Sequence, residues 1–406
     1  MNSDPPRPRV VFVNRYYWPD EPATAQLLTD LAEGLAGRGA EVAVIASHDG
    51  TARVPERETR NGVEIVRVRS TRWGRRGMAA KAADYLTFAL AARRALRARV
   101  RPGDWLIAMT DPPALAPIAA SAARRADARL VHWLQDIHPE ISLALSGTRL
   151  LAALSGPWMR WRDVAWRRAQ ACVAISRDMA ELVSEHGISP EHLRVISNWA
   201  PGGDTLAPIP AERNPLREEW GLAGKFVVAY SGNLGRVHAL EPILAAAAQL
   251  RDEPDLVFLL IGDGPRRTAL ENEARRLNLT NIRFLPSQPQ RRLAESLSAG
   301  DVHLVTLRAG CERCVFPSKL YGILAVARPI LYIGPPACEL AEAVRRSGAG
   351  LTVDINDPRA LAAHLRELRV NAARRDVMAQ AAARWARATG GLPTALGAWM
   401  DLLAMT

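Results

Sequence analysis

The chain writes one pattern twice. A short apolar run, a turn and a stretch with apolar residues at helical spacing recur from "RVVFVN" (9–14) to "ACVAIS" (171–176). The pattern lapses in "WAPGGDTLAPIPAERNPLR" (199–217), then restarts at "KFVVAYSG" (225–232) and runs to "GLTVD" (350–354). Such runs separated by helices predict strands of a parallel sheet buried on both faces. The first block adds "EVAVIAS" (41–47), "VEIVRV" (63–68), "WLIAMT" (105–110) and "RLVHWLQD" (129–136). The second adds "LVFLLIGDG" (256–264), "NIRFLP" (281–286), "DVHLVTL" (301–307) and "RPILYIG" (328–334). Between the first two runs, Leu27, Leu28, Leu31 and Leu35 share one helix face, which Gly37 and Gly39 close. The fold class expected is α/β: two doubly wound, Rossmann-like domains over 1–200 and 218–385, with a Pro/Gly-rich linker over 201–217. They are expected to face a cleft at the carboxyl ends of both sheets. The helical segment 386–406 is expected to pack back on the first domain. A length of 406 residues also favours two cores over one.

Charge narrows the partners. A net charge of +11 calls for a polyanion: nucleic acid, an anionic membrane surface or phosphorylated substrates. Residues 67–101 hold eleven basic residues and one acid, Asp84. There "MAAKAADYLTFALAARRALRARV" reads as a helix with Met78, Tyr85, Leu86, Phe88, Leu90 and Leu96 on an apolar side and a basic C-terminal half. A helix of that kind is expected to lie on an anionic membrane surface. The stretch "WMRWRDVAWRR" (158–168) reads instead as a core helix with a solvated arginine face. No apolar run approaches the roughly 20 residues that span a bilayer. The start "MNSDPPRPRVVFVN" lacks a basic-then-apolar layout, so a cytosolic location is expected. Four cysteines give no disulfide framework, and "CERC" (311–314) has no second Cys/His pair at zinc spacing.

Three strand ends in the second block carry phosphate-binding chemistry. "YSGNLGRVHALEPIL" (230–244) is a strand, a glycine turn and a helix: Gly232 and Gly235 admit a ligand to the backbone, with Asn233, Arg236 and His238 beside it. "IGDGP" (261–265), with Gly262, is a second such turn. In "FPSKLYGIL" (316–324) a helix opens after Pro317, so Ser318, Lys319 and the first free N–H groups are expected to point at an anion. Only Lys81, Lys225 and Lys319 are lysine among 53 basic residues, and a lysine head is a compact charge suited to a phosphate oxygen.

On these residues, with "VNRYYWPDEPATAQLLTDLAEGLAGRGAEVAVIAS" (13–47), "TDPP" (110–113), "LQDIHPE" (134–140) and "RVISNW" (194–199), the chain resembles the GT4 glycosyltransferases of GT-B fold, in their bacterial surface-polysaccharide branch. The resemblance implies transfer of a sugar, with retained configuration and without a metal or a cofactor. The donor would be a nucleoside-diphosphate sugar, UDP favoured, which is itself a substrate. The acceptor would be a lipid-linked saccharide at the inner face of the membrane, with no nucleic-acid partner. It implies that Arg236 and Lys319 neutralise the leaving diphosphate and that Leu285 reads the base through the backbone. Gly232, Asn233, Gly235, His238, Gly262, Pro317, Ser318, Leu320 and Gly322 would line the donor. Tyr17, Trp18, Thr24 and His138 would line the acceptor side, with Asp136 near the anomeric centre or serving only as a turn residue. Departures are Cys314 and Gly322, where many members hold glutamate, and Ala327, where glycine is usual. The competing classes are a nucleotide-sugar epimerase on a GT-B-like fold and a nucleic-acid-binding protein.

Overall fold

The computed structural model describes residues 8–48, 54–73, 77–202 and 206–404. The chain divides into two compact units. Unit 1 is Met1–Ser197 with Arg313–Val315 and Leu392–Thr406; unit 2 is Asn198–Glu312 with Phe316–Gly391.

In chain order, unit 1 holds β1 (Arg9–Val13), α1 (Ala23–Ala36), β2 (Glu41–Ser47), β3 (Arg57–Arg60), β4 (Val63–Val68), α2 (Met78–Arg99), β5 (Trp105–Ala108), α3 (Leu115–Ala126), β6 (Arg129–Leu134), α4 (Glu140–Ser146), α5 (Arg149–Arg167), β7 (Ala171–Ala174), α6 (Arg177–Glu185) and β8 (Leu193–Val195). The strands form one sheet in the order β3-β4-β2-β1-β5-β6-β7-β8. All ladders are parallel except β3 with β4. Val10, Val11, Phe12 and Val13 of β1 are fully buried, as a strand covered on both faces requires. The edge strand β3 escaped the sequence reading because "RETR" has no apolar signal; its charges suit an edge.

Helix α2 corrects one expectation. Phe88, Ala92 and Leu96 enter the core with Val11, Val13, Leu106 and Leu130. Leu86 and Leu90 point outward, 61% and 50% exposed. The apolar residues thus split between two faces, because the core-facing stripe follows Phe88–Ala92–Leu96 at i, i+4, i+8. The side chain of Met78 and residues 74–76 lie outside the described residues.

Unit 2 holds α7 (Pro215–Glu219), β9 (Phe226–Ser231), α8 (Glu241–Gln249), β10 (Leu256–Ile261), α9 (Arg267–Arg276), β11 (Ile282–Leu285), α10 (Leu293–Ser298), β12 (Val302–Thr306), α11 (Lys319–Ala325), β13 (Ile330–Ile333), α12 (Glu339–Ser347), β14 (Gly350–Val353), α13 (Pro358–Val370) and α14 (Ala372–Thr389). Its sheet is wholly parallel in the order β11-β10-β9-β12-β13-β14. Ala327, just after α11, has φ +50°, a left-handed conformation that an alanine enters at a cost of roughly 1–2 kcal/mol.

The boundaries differ from the sequence reading. Residues 206–217 do not form a free linker. Ile209 N–H donates to Ser298 Oγ at 3.0 Å, and Asn214 Nδ2 donates to the Glu295 carbonyl at 2.8 Å while its Oδ1 caps α7. Residues 203–205 of that stretch lie outside the described residues. Residues 386–389 finish α14, and the segment returning to unit 1 is α15 (Gly391–Leu402). Trp399 is fully buried there, edge-on to Trp133 at 5.3 Å, and Leu396 fills the space above Gly34.

Candidate functional site

In unit 2 the ends of β9 and β10 build one compact turn pair. Gly232 has φ +135° and Gly262 φ +142°. A Cβ on Gly262 would lie 2.1 Å from the Gly232 carbonyl oxygen, and one on Gly232 would lie 3.1 Å from Lys319 Nζ. Glycine is therefore needed so that the second turn can brace the first and Lys319 can reach it. Leu234 N–H donates to the Asp263 carbonyl at 2.8 Å, which locks the two turns together.

Lys319 is the outlier of the molecule. Its Nζ is enclosed, has no hydrogen-bond partner, and sits 3.5 Å from the centre of the Tyr230 ring. Burial pushes its ammonium well below the usual lysine range. His238 lies nearby: one ring nitrogen, Nδ1, donates to the Thr306 carbonyl at 2.8 Å, and burial, reinforced by Lys319, pushes it down to about 3. His238 is therefore neutral and supplies no charge. Arg236 stands exposed on the same turn.

Several expected donor contacts take other roles. Leu320 is 1% exposed and belongs to the core. Gly322 is a packing glycine, since a Cβ there would meet Leu297 Cδ1 at 2.9 Å. Pro317 is buried, and Ser318 is partly exposed. The N–H groups of Leu320 and Tyr321 already donate to the Pro317 and Ser318 carbonyls, so the start of α11 offers fewer free donors than its sequence suggested. Helix α8 starts only at Glu241, whose carboxylate takes Leu240 N–H and pairs with Arg266 and Arg308. The Leu285 carbonyl accepts from Gly262 N–H and from Arg267, which removes it as a spare base contact. The side chain of Asn233 lies across Gly235, 2.9 Å from where its Cβ would be.

In unit 1 the carboxyl ends of β1, β5 and β6 bring together Arg15, Thr110, Asp111, Asp136 and His138. Tyr17 leaves the acceptor list: it is 1% exposed, buried near Arg60, Arg67 and Glu58 of β3 and β4. Trp18 is partly buried under the Arg60 guanidinium, 4.6 Å away, and Thr24 is partly exposed at the start of α1. Asp136 is accessible yet set in a depression, and burial, then the Asp111 carboxylate, push it up to about 6. The upward direction follows physically, since among the described residues no side-chain donor holds its carboxylate and a like charge stands beside it. Asp111 is also raised, by burial against the pull of Arg15 and Lys81. His138 is pushed down, mainly by burial.

A buried ionic network fixes this loop. Arg162 donates to Glu140 at 2.6 and 2.7 Å, to Asp163 at 2.7 Å and to the His138 carbonyl at 2.8 Å, with its plane 4.0 Å from the Trp166 ring. His186 bridges Asp163 and Glu140 at 2.9 and 3.0 Å, and those bonds raise it to about 9. Burial would raise Glu140, but His186 and Arg162 outweigh it and hold it at about 2. The two shifts are one interaction seen from both ends. Sequence reasoning missed Asp111 as a site residue and this network; only the strand-end position of "TDPP" pointed at Asp111. Among the described residues, no three His, Cys, Asp or Glu side chains converge as a metal site, and none of the four cysteines is joined in a disulfide.

Comparisons with known proteins match this arrangement. The Glycosyl transferase 4-like domain family covers residues 24–199, and Glycosyl transferases group 1 covers 212–385. WcaI of Escherichia coli (strain K12), named for colanic acid biosynthesis, is 33% identical over 195 residues, 48% of this chain and 48% of that protein. The match thus spans about half of that relative. WbjE of Pseudomonas aeruginosa, named as a glycosyltransferase, is 31% identical over 279 residues, 67% of this chain and 68% of its own. Anabaena Alr3699/HepE, solved in complex with UDP-glucose, superposes with TM-score 0.75 at 18% identity over 98% of this chain and all of that one. WaaG, from lipopolysaccharide biosynthesis, gives 0.73 at 15% identity over 95% and 98%. With two strand-end sites on two doubly wound units, the chain belongs to the GT4-like, group 1 glycosyltransferases and has their GT-B fold.

Proposed function

We propose that the chain moves a sugar, with retained anomeric configuration, from a UDP-sugar to a lipid-linked saccharide in the synthesis of an exopolysaccharide, O-antigen or capsule. The observation that carries this reading is Lys319: an enclosed lysine head with no hydrogen-bond partner, resting on the Tyr230 ring at a glycine turn, is a charge suited to an anion. A leaving diphosphate develops negative charge there, and a fixed cation stabilises it without reorganisation. Exposed Arg236 supplies the second cation. With protein cations in place, the reading includes no metal. UDP is favoured because a structural relative was solved with UDP-glucose, and a polysaccharide acceptor because of WcaI's name. A thermal-shift screen of nucleoside-diphosphate sugars tests it. A UDP-sugar at about 100 times its Kd should add about 2.7 kcal/mol to stability. If no such compound shifts the transition, the donor reading fails.

The acceptor's lipid places the chain at a membrane, inner face favoured. No helix among the described residues is long and apolar enough to cross one. Instead α2 packs on α3 and α3 on α5, and their outward sides carry Leu86, Leu90, Trp161 and Val164 among Arg93, Arg94, Arg97, Arg124, Arg125, Arg160 and Arg168. The acids of these helices, Asp84 and Asp163, are turned inward. The charge reading of residues 67–101 therefore widens to α3 and α5, a face suited to anionic headgroups. Sedimentation with vesicles of phosphatidylcholine and phosphatidylglycerol should show binding at low salt that is lost at high salt. No binding at low salt would remove the membrane.

A further inference from the structure

Two arms hold the loop between β6 and α4, one at each end. At the start, Asp136 N–H donates to Thr110 Oγ1 at 3.2 Å and Ile137 N–H to the Cys314 carbonyl at 3.0 Å, and Asp136 pairs with Val315 as an isolated antiparallel bridge. Cys314 and Val315 lie in Arg313–Val315, which belongs to unit 1 although the chain on either side belongs to unit 2. At the other end, the His138 carbonyl accepts from Arg162 at 2.8 Å, and the Glu140 carboxylate is held by Arg162 and His186. Both arms lead to the end of α6, where Glu185 pairs with Arg313 at 2.6 Å and His186 caps the helix. The backbone of residues 136–140 is thus pinned. Yet among the described residues no side chain bonds the Asp136 carboxylate or the His138 ring.

Arg162 lines the same small depression as Asp136 and His138, but it has nothing left to offer a ligand. A guanidinium carries five N–H groups. Here Nε donates to Asp163, Nη1 to the His138 carbonyl and to Glu140, and Nη2 to Glu140 and to Asp163, all at 2.6–2.9 Å. Every donor is spent inside the protein. His186 is equally committed: its two ring nitrogens meet Glu140 at 3.0 Å and Asp163 at 2.9 Å. Ionised carboxylates only accept, so both nitrogens carry protons and the ring is a cation. The groups that face it are Glu140 from α4, Arg162, Asp163 and Arg167 from α5, and Glu185 of its own helix. The Trp166 ring stands edge-on at 6.0 Å.

Stability alone does not call for such a cluster, since apolar residues of the same volume often serve as well or better. What two cations and two carboxylates supply is direction, because each bond has a fixed angle. We propose that Arg162 and His186 are positioning residues for sugar transfer: through Glu140 and the His138 carbonyl they clamp the loop so that Asp136 and His138 stand free and correctly aimed. Neither touches donor or acceptor. The inference rests on the glycosyltransferase reading and deepens it.

The test uses the full chain. NMR follows the Asp136 ¹³Cγ and His138 ring signals from about pH 7 to 10.5, assigned with Asp136→Asn and His138→Gln, beside the His186 ring itself. In the wild-type protein both loop signals should step at the His186 midpoint, about 9, where its bridge to Glu140 is lost. In His186→Phe the step should vanish. The wild-type titration needs no variant, so it stands if His186→Phe fails to fold. UDP release from UDP-glucose, with methyl glucoside as acceptor, should lose about tenfold in kcat across the same midpoint at unchanged KM for the donor. A network that only stabilised the fold would leave both loop signals and kcat flat while the chain stays folded, and that result overturns the proposal. So does a step that survives in His186→Phe, which would trace to Lys81, whose charge also reaches His138. The donor-induced thermal shift depends on unit 2. Its absence from the wild-type protein marks failure of the donor reading, while the NMR step still judges the clamp.

Discussion

Replacing Lys319 by alanine is expected to cut sugar transfer about 10²–10³-fold in kcat, the usual cost of removing one fixed group that meets developing charge. The variant should remain folded, because Nζ makes no hydrogen bond whose loss would unravel α11. Lys319→Met is expected to raise the melting temperature, since burial in the native state disfavours the charged form of this lysine. The sign of the linkage is fixed: a lysine depressed in the folded state destabilises it below the ordinary lysine range, and removing it removes that cost. A bound diphosphate should favour the charged lysine, so UDP should bind more weakly to Lys319→Ala than to the wild-type protein. Titration calorimetry measures that difference. Near-normal transfer by Lys319→Ala, or unchanged UDP affinity, would sink the phosphate role.

Arg162→Ala is expected to cost about 3–5 kcal/mol of unfolding free energy, because it strands buried carboxylates rather than exchanging a whole pair for apolar groups. Arg162 is 3% exposed, and its partners Glu140 and Asp163 are 10% and 12% exposed. Denaturant unfolding measures the loss, and a change under about 1 kcal/mol would mean that the network is solvated. The pH dependence has two limbs. His186 is raised to about 9, so its contribution is complete below its ordinary value near 6.5 and fades as pH climbs through 9. Glu140 is lowered to about 2, so its contribution is present above 4.5 and fades as pH falls toward 2. His186→Phe should flatten the alkaline limb and also move the acid one to higher pH, since the His186 bond is the first of those that hold Glu140 low.

The sheets were legible because each strand is a run of residues buried on both faces, and that burial is written in the sequence. β9, β10 and β13 appear at nearly the residues expected. β3 was not legible, since an edge strand of alternating charge has no such run. The glycine turns were legible as turns, yet their purpose was not. Gly262 exists to admit the Gly232 carbonyl, a contact between segments 30 residues apart that no local pattern encodes. Leu320 and Gly322 sit beside Lys319 in sequence, but Leu320 turns into the core, Gly322 has no side chain, and only Lys319 reaches Tyr230. Asp111 was harder to read than Asp136, because only the pairing of β5 with β6 brings the end of one strand beside the end of the other. Ala327 stands where the resemblance led one to expect glycine, and its left-handed backbone is the conformation a glycine enters most readily.

The return of α15 has a consequence for synthesis. Trp133 lies in the middle of the first sheet, and its partner Trp399 is translated more than 250 residues later. At about 5–20 residues per second, the ribosome leaves that tryptophan surface uncovered for roughly ten seconds or more. Unit 2, whose sheet and helices are contiguous in the chain, can close its own core during that wait. The segment translated first is therefore the one completed last, and a chaperone that shields β6 and α1 has a defined interval in which to act.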